Sequence, residues 1–380
     1  MDIDAATPLL GGLSPARFMA RHWQKQPLLV RQAWPGVQPP LGRAALFALA
    51  ARDDVESRLV VREAGVWRVR QGPLPRRALP PLGRAGWTLL VQGLDGHVEA
   101  AHEMLARFRF VPDARLDDLM VSWASDGGGV GPHVDSYDVF LLQVHGRRRW
   151  RVGRVRDPAL EPDAPLKLLR HFEPSDDWLL EPGDMLYLPP RWGHDGVAVG
   201  GDCVTCSIGF RAPAADELAR ELLLRLADAI DAPGALYRDP AQAATATPGA
   251  VPAPLRAFAQ AALARCLADP QALARALGEV LTEPKPQVWF QAGVRTPAAG
   301  LALDRATRML YDERHVFING EAFAASGRDA RLLRRLADER RLGAPAVAGF
   351  SAPARTLLAE WLQAGWLHGA LAGGLPQDAP

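Results

Sequence analysis

The stretch "GPHVDSYDVFLLQVHGRRRW", residues 131–150, decides how this chain is read. A histidine and an aspartate, His133 and Asp135, stand two positions apart directly after the glycine-rich "GGGVGP", and an apolar run then leads to a cluster of arginines. On a β-strand, residues i and i+2 project to the same face, so both side chains reach one point inside a barrel. One further histidine completes the two-histidine, one-carboxylate set that holds Fe(II) and leaves three coordination positions open. His194 is the natural third donor. "EPGDMLYLPPRWGHDG" sends a strand into a turn that ends on it, far away in sequence but able to fold back beside the first pair. An isolated H-x-D is usually structural; the glycine-rich approach and the second turn set this copy apart.

The arginines follow the same alternation. In "GRRRWRV", Arg147, Arg149 and Arg151 share one face while Arg148, Trp150 and Val152 share the other, apolar, inward face. An inward guanidinium requires an anion, because an unpaired buried charge costs about 3–5 kcal/mol. A bidentate carboxylate suits it best, supplied either by a small bound acid or by an internal residue such as Asp138. In "DDLMVSW", Asp118, Met120 and Ser122 form a polar, apolar, polar face unlike that of a plain core strand. Ser122 is placed to hydrogen-bond the same anion. Asp118 either attracts a cationic substrate, with Tyr137 packing on its stem, or caps a solvated edge.

The surrounding chain is organised around short strands. "LDDLMVSWAS", "DVFLLQVHG", "RRRWRVG", "GDMLYLPP" and "DCVTCSIGFR" are strand-like runs separated by Gly, Pro and Asp, as in an antiparallel sandwich or small barrel. Before them, "SPARFMARHWQKQPLLV" and "GRAALFALAAR" read as helical and "WTLLVQGL" as a strand. After residue 213 the texture turns helical, with "ADELARELLLRLADAI" carrying leucines at helical spacing. The loop "AATATPGAVPAPL" and the helix "RAFAQAALARCLADP" come next. The tail from about Pro297 mixes strand-like "HVFING" with the helices "RDARLLRRLADERR" and "APARTLLAEWLQAGWLHGAL", a small α+β, winged-helix-like unit.

Bulk properties bound the function. The 380 residues, 48% of them hydrophobic, exceed one compact core. Basic and acidic residues number 26 and 25 through residue 212, and 18 and 18 after it, so no part has the basic excess of a nucleic-acid binder. The opening "MDIDAATPLLGGL" shows neither a secretory signal nor a membrane span, which makes the cytoplasm the default location. Cys203, Cys206 and Cys266 do not form a disulfide framework, and the C-x-x-C within "CVTCSIGF" reads as two small buried strand residues. The other seven histidines, His22, His97, His102, His145, His171, His315 and His368, read as solvated or packed, with His22, His171, His315 and His368 without partners and His145 at a surface hairpin.

These residues carry a family resemblance. "GPHVDSYDVFLLQ", "GRRRWRVG", "LEPGDMLYLPP", "GHDG" and "SIGFRAP", with "RHWQKQPLLVR" and "ESRLVVREAGVWRVRQGP" upstream, are similar to the bacterial ribosomal oxygenases of the JmjC cupin superfamily. The likeness is to the group that hydroxylates an arginine of large-subunit ribosomal protein sixteen, and it covers most of residues 14–213. It implies a mainly β catalytic domain, a double-stranded β-helix of the JmjC cupin jelly-roll type, over residues 1–212. A helical dimerisation segment over 213–295 and a winged-helix-like domain over 296–380 would follow, giving a homodimer.

The resemblance further implies that His133, Asp135 and His194 ligate Fe(II), with Arg148 and Ser122 holding the distal carboxylate of 2-oxoglutarate. Asp118, Met120, Tyr137 and Ser207 would line the pocket for the substrate arginine, which is hydroxylated at its β-carbon at the expense of O2. Three rivals stand beside this expectation. They are a histidine hydroxylase of another ribosomal protein, an iron cupin that does not use 2-oxoglutarate, and a non-catalytic cupin regulator feeding a winged helix.

Overall fold

The computed structural model describes residues 2–230, 234–293 and 300–369. The chain divides into two compact units, Met1–Ala212 with Pro286–Trp289, and Pro213–Lys285 with Phe290–Pro380. The expected boundary between residues 295 and 296 lies outside the described residues.

The first unit contains the strands β1 (Leu28–Val30), β2 (Ser57–Glu63), β3 (Val66–Gln71), β4 (Trp87–Val91), β5 (Leu116–Ala124) and β6 (His133–Val134). They are followed by β7 (Asp138–His145), β8 (Arg148–Arg154), β9 (Asp176–Leu180), β10 (Met185–Leu188), β11 (Trp192–Ala198) and β12 (Cys203–Phe210). Helices α1 (Pro15–Arg21), α2 (Arg43–Leu49) and α3 (Glu99–Ala106) precede β5. An eight-stranded sheet runs in the order β1-β10-β7-β12-β5-β4-β2-β3, and a four-stranded sheet in the order β6-β11-β8-β9. The chain crosses from one sheet to the other between β5 and β6, β6 and β7, β7 and β8, β9 and β10, β10 and β11, and β11 and β12. This is the winding of a jelly roll. The turn at Gly146 therefore joins two sheets, where the sequence suggested a hairpin; His145 is exposed beside it.

Residues opposed across an antiparallel ladder share a face, so register assigns each side of the large sheet. The row Leu59, Leu89, Trp123, Val204 packs outward against Phe18, Leu46, Phe47 and Phe108 of the helical layer. The row Arg58, Leu90, Ser122, Thr205 looks into the space between the sheets. That space is apolar at one end, where Val139, Leu141, Leu186 and Leu188 meet Trp150, Val152 and Leu180 of the small sheet. A polar cavity at the other end is what the fold exists to position. Cys203 and Cys206 are buried and free, in different clusters, as opposite-facing strand residues should be.

The helical reading of residues 14–30 holds only to Arg21. Gln24 adopts a left-handed φ of 56° and Pro27 follows, so Leu28–Val30 instead pairs as a strand with β10.

The second unit opens with α4 (Ala215–Asp228), α5 (Ala253–Leu267) and α6 (Pro270–Thr282). The helix expected over residues 256–270 ends at Leu267, and Asp269 caps a further helix, α6, by accepting from the Gln271 amide at 2.9 Å. Next come β13 (Gly300–Leu303), β14 (Met309–Tyr311), β15 (His315–Ile318), β16 (Glu321–Ala324), α7 (Gly327–Glu339), β17 (Arg341–Gly343), α8 (Ala344–Ala348), α9 (Ala352–Gln363) and β18 (Leu367–Gly369). Leu301, Met309, Ile318, Leu333, Leu336, Leu358, Trp361 and Leu367 build its core. The final helix stops at Gln363, and Gly365, with φ 78°, turns the chain into β18; residues 370–371 of that expectation lie outside the described residues. His315 and His368 have carboxylate partners after all, Asp312 at 3.3 Å and Asp304 at 2.7 Å, the second pair being out of reach of sequence spacing alone.

One buried carboxylate ties the first unit together. Asp138 is fully buried and accepts from Tyr187 Oη at 2.6 Å, Gln24 Nε2 at 3.0 Å and Arg115 Nη2 at 3.4 Å. Removing it strands three donors, so Asp138→Ala is expected to cost about 3 kcal/mol, whereas Tyr187→Phe costs about 1 kcal/mol. Urea unfolding of the two variants checks the order; equal costs would contradict it.

Candidate active site

The site begins with a strand pairing. β6 and β11 are antiparallel with His133 opposite His194, so both imidazoles point to the same side. Asp135 follows His133 by two residues and joins them. His194 Nε2 lies 3.5 Å from one Asp135 carboxylate oxygen and His133 Nε2 lies 4.0 Å from the other. The imidazole centroids are 4.2 Å apart, and one donor atom from each of the three residues lies within 4.8 Å of the others.

Each ring is oriented from behind. His133 Nδ1 is 2.9 Å from the Gly131 carbonyl and His194 Nδ1 is 3.0 Å from the Trp192 carbonyl. Donation from Nδ1–H leaves the Nε2 lone pairs facing Asp135, the tautomer a metal needs. Burial, with His133 as neighbour, pulls the His194 pKa down to about 4, so it stays neutral and ready to ligate at working pH. Gly131 is required for the approach. Its φ is 78°, and a Cβ there would stand 2.7 Å from Leu168 and 2.9 Å from Trp67. Two imidazole nitrogens and a carboxylate with open positions are the donor set of a non-haem Fe(II) centre, so the residues present fit that ion.

The alternation expected along β8 is observed. Arg148, Trp150 and Val152 are buried; Arg149 and Arg151 are exposed. Arg148 is 5% exposed, and its Nη1 donates to Ser122 Oγ at 3.1 Å. Among the described residues its Nε and Nη2 are buried without a hydrogen-bond partner. Asp138 is engaged elsewhere and is not its counter-ion. The guanidinium lies 5.5 Å from the Trp150 ring, which in turn lies 5.8 Å from the His194 ring. Trp150 can lie there because Gly196 opposes it in register; a Cβ on Gly196 would come within 2.5 Å of the indole. The indole Nε1 also lacks a partner. A buried cation with two unsatisfied donors beside a hydroxyl calls for a carboxylate.

Behind Ser122 the wall is closed by polar pairing. Thr205 Oγ1 donates to Gln143 Oε1 at 2.8 Å, and Gln143 Nε2 donates to the His145 carbonyl at 2.7 Å.

The residues expected to face the substrate are spread along β5 and its neighbours. Asp118 is 4% exposed and accepts from Gln92 Nε2 at 2.8 and 3.0 Å, so it does not cap a solvated edge. Met120 is half-buried, and Ser207 opposes it in register. Tyr137 is 39% exposed; desolvation, then the carboxylates of Asp135 and Asp118, push its pKa above the ordinary range, so it remains a neutral hydroxyl. Sequence reading missed Gln92, which holds Asp118, and Arg58, a second inward-facing guanidinium. The signal for Arg58 was present. In "SRLVVRE" it alternates with Val60, which is completely buried.

Residues 103–218 match the JmjC domain family and residues 265–368 match the ROXA-like winged helix. The Ribosomal protein uL16 3-hydroxylase of Escherichia coli is 41% identical over 229 residues, 59% of this chain and 59% of that protein. The Probable ribosomal oxygenase of Haemophilus influenzae is 37% identical over 206 residues, 53% of this chain and 50% of that protein. These alignments thus span a little over half the length of both relatives. The X-ray structure of E. coli ycfD superposes with a TM-score of 0.82 at 31% identity, covering 94% of this chain and 98% of that one. YcfD in complex with cobalt and 2-oxoglutarate superposes with a TM-score of 0.79 at 31% identity and the same coverage. With a strand pairing that gathers two histidines and an aspartate, and a JmjC domain followed by a ROXA-like winged helix, the chain belongs to the JmjC-domain ribosomal oxygenases.

Proposed function

We propose that this protein is an Fe(II)- and 2-oxoglutarate-dependent hydroxylase that adds one oxygen atom to the β-carbon of an arginine in ribosomal protein uL16. The observation that carries the reading is Arg148, buried with two unsatisfied donors on the same cavity wall as the metal-ligand set. The name of the E. coli relative and the cobalt and 2-oxoglutarate complex of YcfD support it.

His133, Asp135 and His194 hold the metal from one side and leave its other positions to exchangeable ligands. Bound iron and co-substrate, with O2, supply the oxidation of a C–H bond to C–OH, with succinate and CO2 as co-products. Arg148 and Ser122 grip the distal carboxylate and so fix which end of the co-substrate meets the metal. Asp118, oriented by Gln92, offers a buried carboxylate to the substrate guanidinium, with Ser207 as a further acceptor. Met120 and Tyr137 flank the aliphatic stem. Holding the guanidinium at a set depth selects the carbon presented to the metal, because reactivity follows position. A buried carboxylate favours arginine over the neutral ring of a histidine substrate, and an intact ligand set disfavours a regulator without catalysis.

The helical segment 213–295 is assigned to dimerisation and 296–380 to the winged-helix-like domain. Supporting a homodimer, Leu223, Leu224, Leu263 and Leu267 of α4 and α5 are each more than half exposed. A ribosomal substrate places the protein in the cytoplasm, and among the described residues no helix is long and apolar enough to cross a membrane.

His133→Ala is expected to abolish Co(II) binding and 2-oxoglutarate turnover with a Tm within a few degrees of the parent, read by metal titration and thermal melting. Arg148→Ala is expected to raise the 2-oxoglutarate KM by about a hundredfold while Co(II) still binds; unchanged co-substrate affinity would remove the anchor role. Mass spectrometry of uL16 from cells with and without the gene should show a gain of about 16 Da, one oxygen, on an arginine only when the gene is present. The same mass on a histidine of another ribosomal protein would favour the rival hydroxylase.

A further inference from the structure

We infer that Arg58 is a substrate-binding residue whose guanidinium holds a main-chain carbonyl oxygen of the polypeptide being hydroxylated. This inference rests on the reading that the substrate is a polypeptide.

Three observations place Arg58 in the site. It opposes Leu90 in register, and Leu90 opposes Ser122, whose hydroxyl receives a hydrogen bond from the inward Arg148. Opposed residues share a face, so Arg58 looks into the same cavity. It also lies close enough to Tyr137 to act against the carboxylates of Asp135, Asp118 and Asp117 on that hydroxyl. Finally, β2 is next to β3, the edge of the large sheet, where residues such as Val66, Arg68 and Arg70 are exposed. Arg58 therefore stands on the open side of the pocket, away from the apolar end.

Its hydrogen bonding is incomplete. Nε is buried without a partner, and among the described residues the guanidinium has neither a hydrogen bond nor an ion pair. Within the cavity Arg148 is bonded to Ser122 and Asp118 to Gln92, while Asp135 stands with the two histidines. A half-buried guanidinium without an acceptor is costly, and the cost is relieved when a ligand supplies an oxygen. A carboxylate-lined pocket admits a cationic side chain, and acidic neighbours on that peptide would be drawn to the cation rather than into the site. Backbone carbonyls arrive with every polypeptide, and a fork of N–H donors fixes their position without reading sequence. Arg58 would thereby set how deep the target side chain reaches, complementing Asp118 at its tip.

The test uses the full chain loaded with Co(II) and 2-oxoglutarate and a fluorescent synthetic peptide carrying the target arginine of uL16, with binding followed by anisotropy. Arg58→Ala is expected to weaken peptide binding by about tenfold to a hundredfold, the loss of a charge-assisted hydrogen bond, with affinities for Co(II) and 2-oxoglutarate unchanged. Arg58→Lys should recover part of the loss, and the loss should persist with a peptide whose acidic residues are replaced by amides. Unchanged peptide affinity overturns the inference. So does a parallel fall in 2-oxoglutarate affinity, which would place Arg58 in the co-substrate pocket, or disappearance of the effect with the amide peptide, which would make a side-chain carboxylate the partner. A parent protein that binds this peptide but leaves it unoxidised when reloaded with Fe(II) and supplied with 2-oxoglutarate and O2 would undermine the hydroxylase reading while leaving the Arg58 comparison decisive; one that does not bind it removes both.

Discussion

The antiparallel register of β6 with β11 is the constraint on which the site depends. With His133 opposite His194, two imidazoles from segments sixty residues apart project together; a slip of one residue would turn His194 outward and bring Asp195 in. Several contacts hold the register. On the outer face Asp195 is ion-paired with Arg151 and almost fully buried beneath it. On the inner face Gly196 accommodates Trp150, and Val152 lies opposite His194. The arginines of "GRRRWRV" thus differ by parity: Arg149 and Arg151 pair with Asp177 and Asp195 of the neighbouring strands from outside, and Arg148 is buried inside.

The groups that face the cavity are closely enclosed: Arg148 is 5% exposed, Asp118 4% and His194 3%. Arg148 is bonded to Ser122, with Thr205 and Gln143 paired beside it. Burial keeps His194 neutral and its lone pair available. Arg58 looks into the same space from β2. The small sheet supplies one wall, with His133, His194 and Arg148, and the large sheet supplies the other, because its inner row carries polar side chains where its outer row does not. Leu89, Trp123 and Val204 fill the helical core on one side while Leu90, Ser122 and Thr205 face the cavity on the other.

Much of this was legible in the chain because β-strand side chains alternate. Parity along "GPHVDSY", "DDLMVSW" and "GRRRWRV" was enough to group His133 with Asp135, Asp118 with Ser122, and Arg148 with Trp150. The same rule applied to "SRLVVRE" would have found Arg58. Other features depend on which strand lies beside which. Gln92 meets Asp118 only because β4 neighbours β5, and His368 meets Asp304 only because β18 neighbours β13. A local break in the second unit, the left-handed Gly365, sets a helix end that hydrophobic spacing had run past.

By itself, the sequence determined the donor types, the faces of individual strands and the family likeness, since these depend on residue identity and a two-residue period. Tertiary structure alone decided that Arg148 keeps two donors unpaired, that Asp138 is spent on Tyr187, Gln24 and Arg115, and that the turn at Gly146 joins two sheets. The physical reason is that a partner's identity is a property of distance in space, and strand order, not chain position, sets those distances.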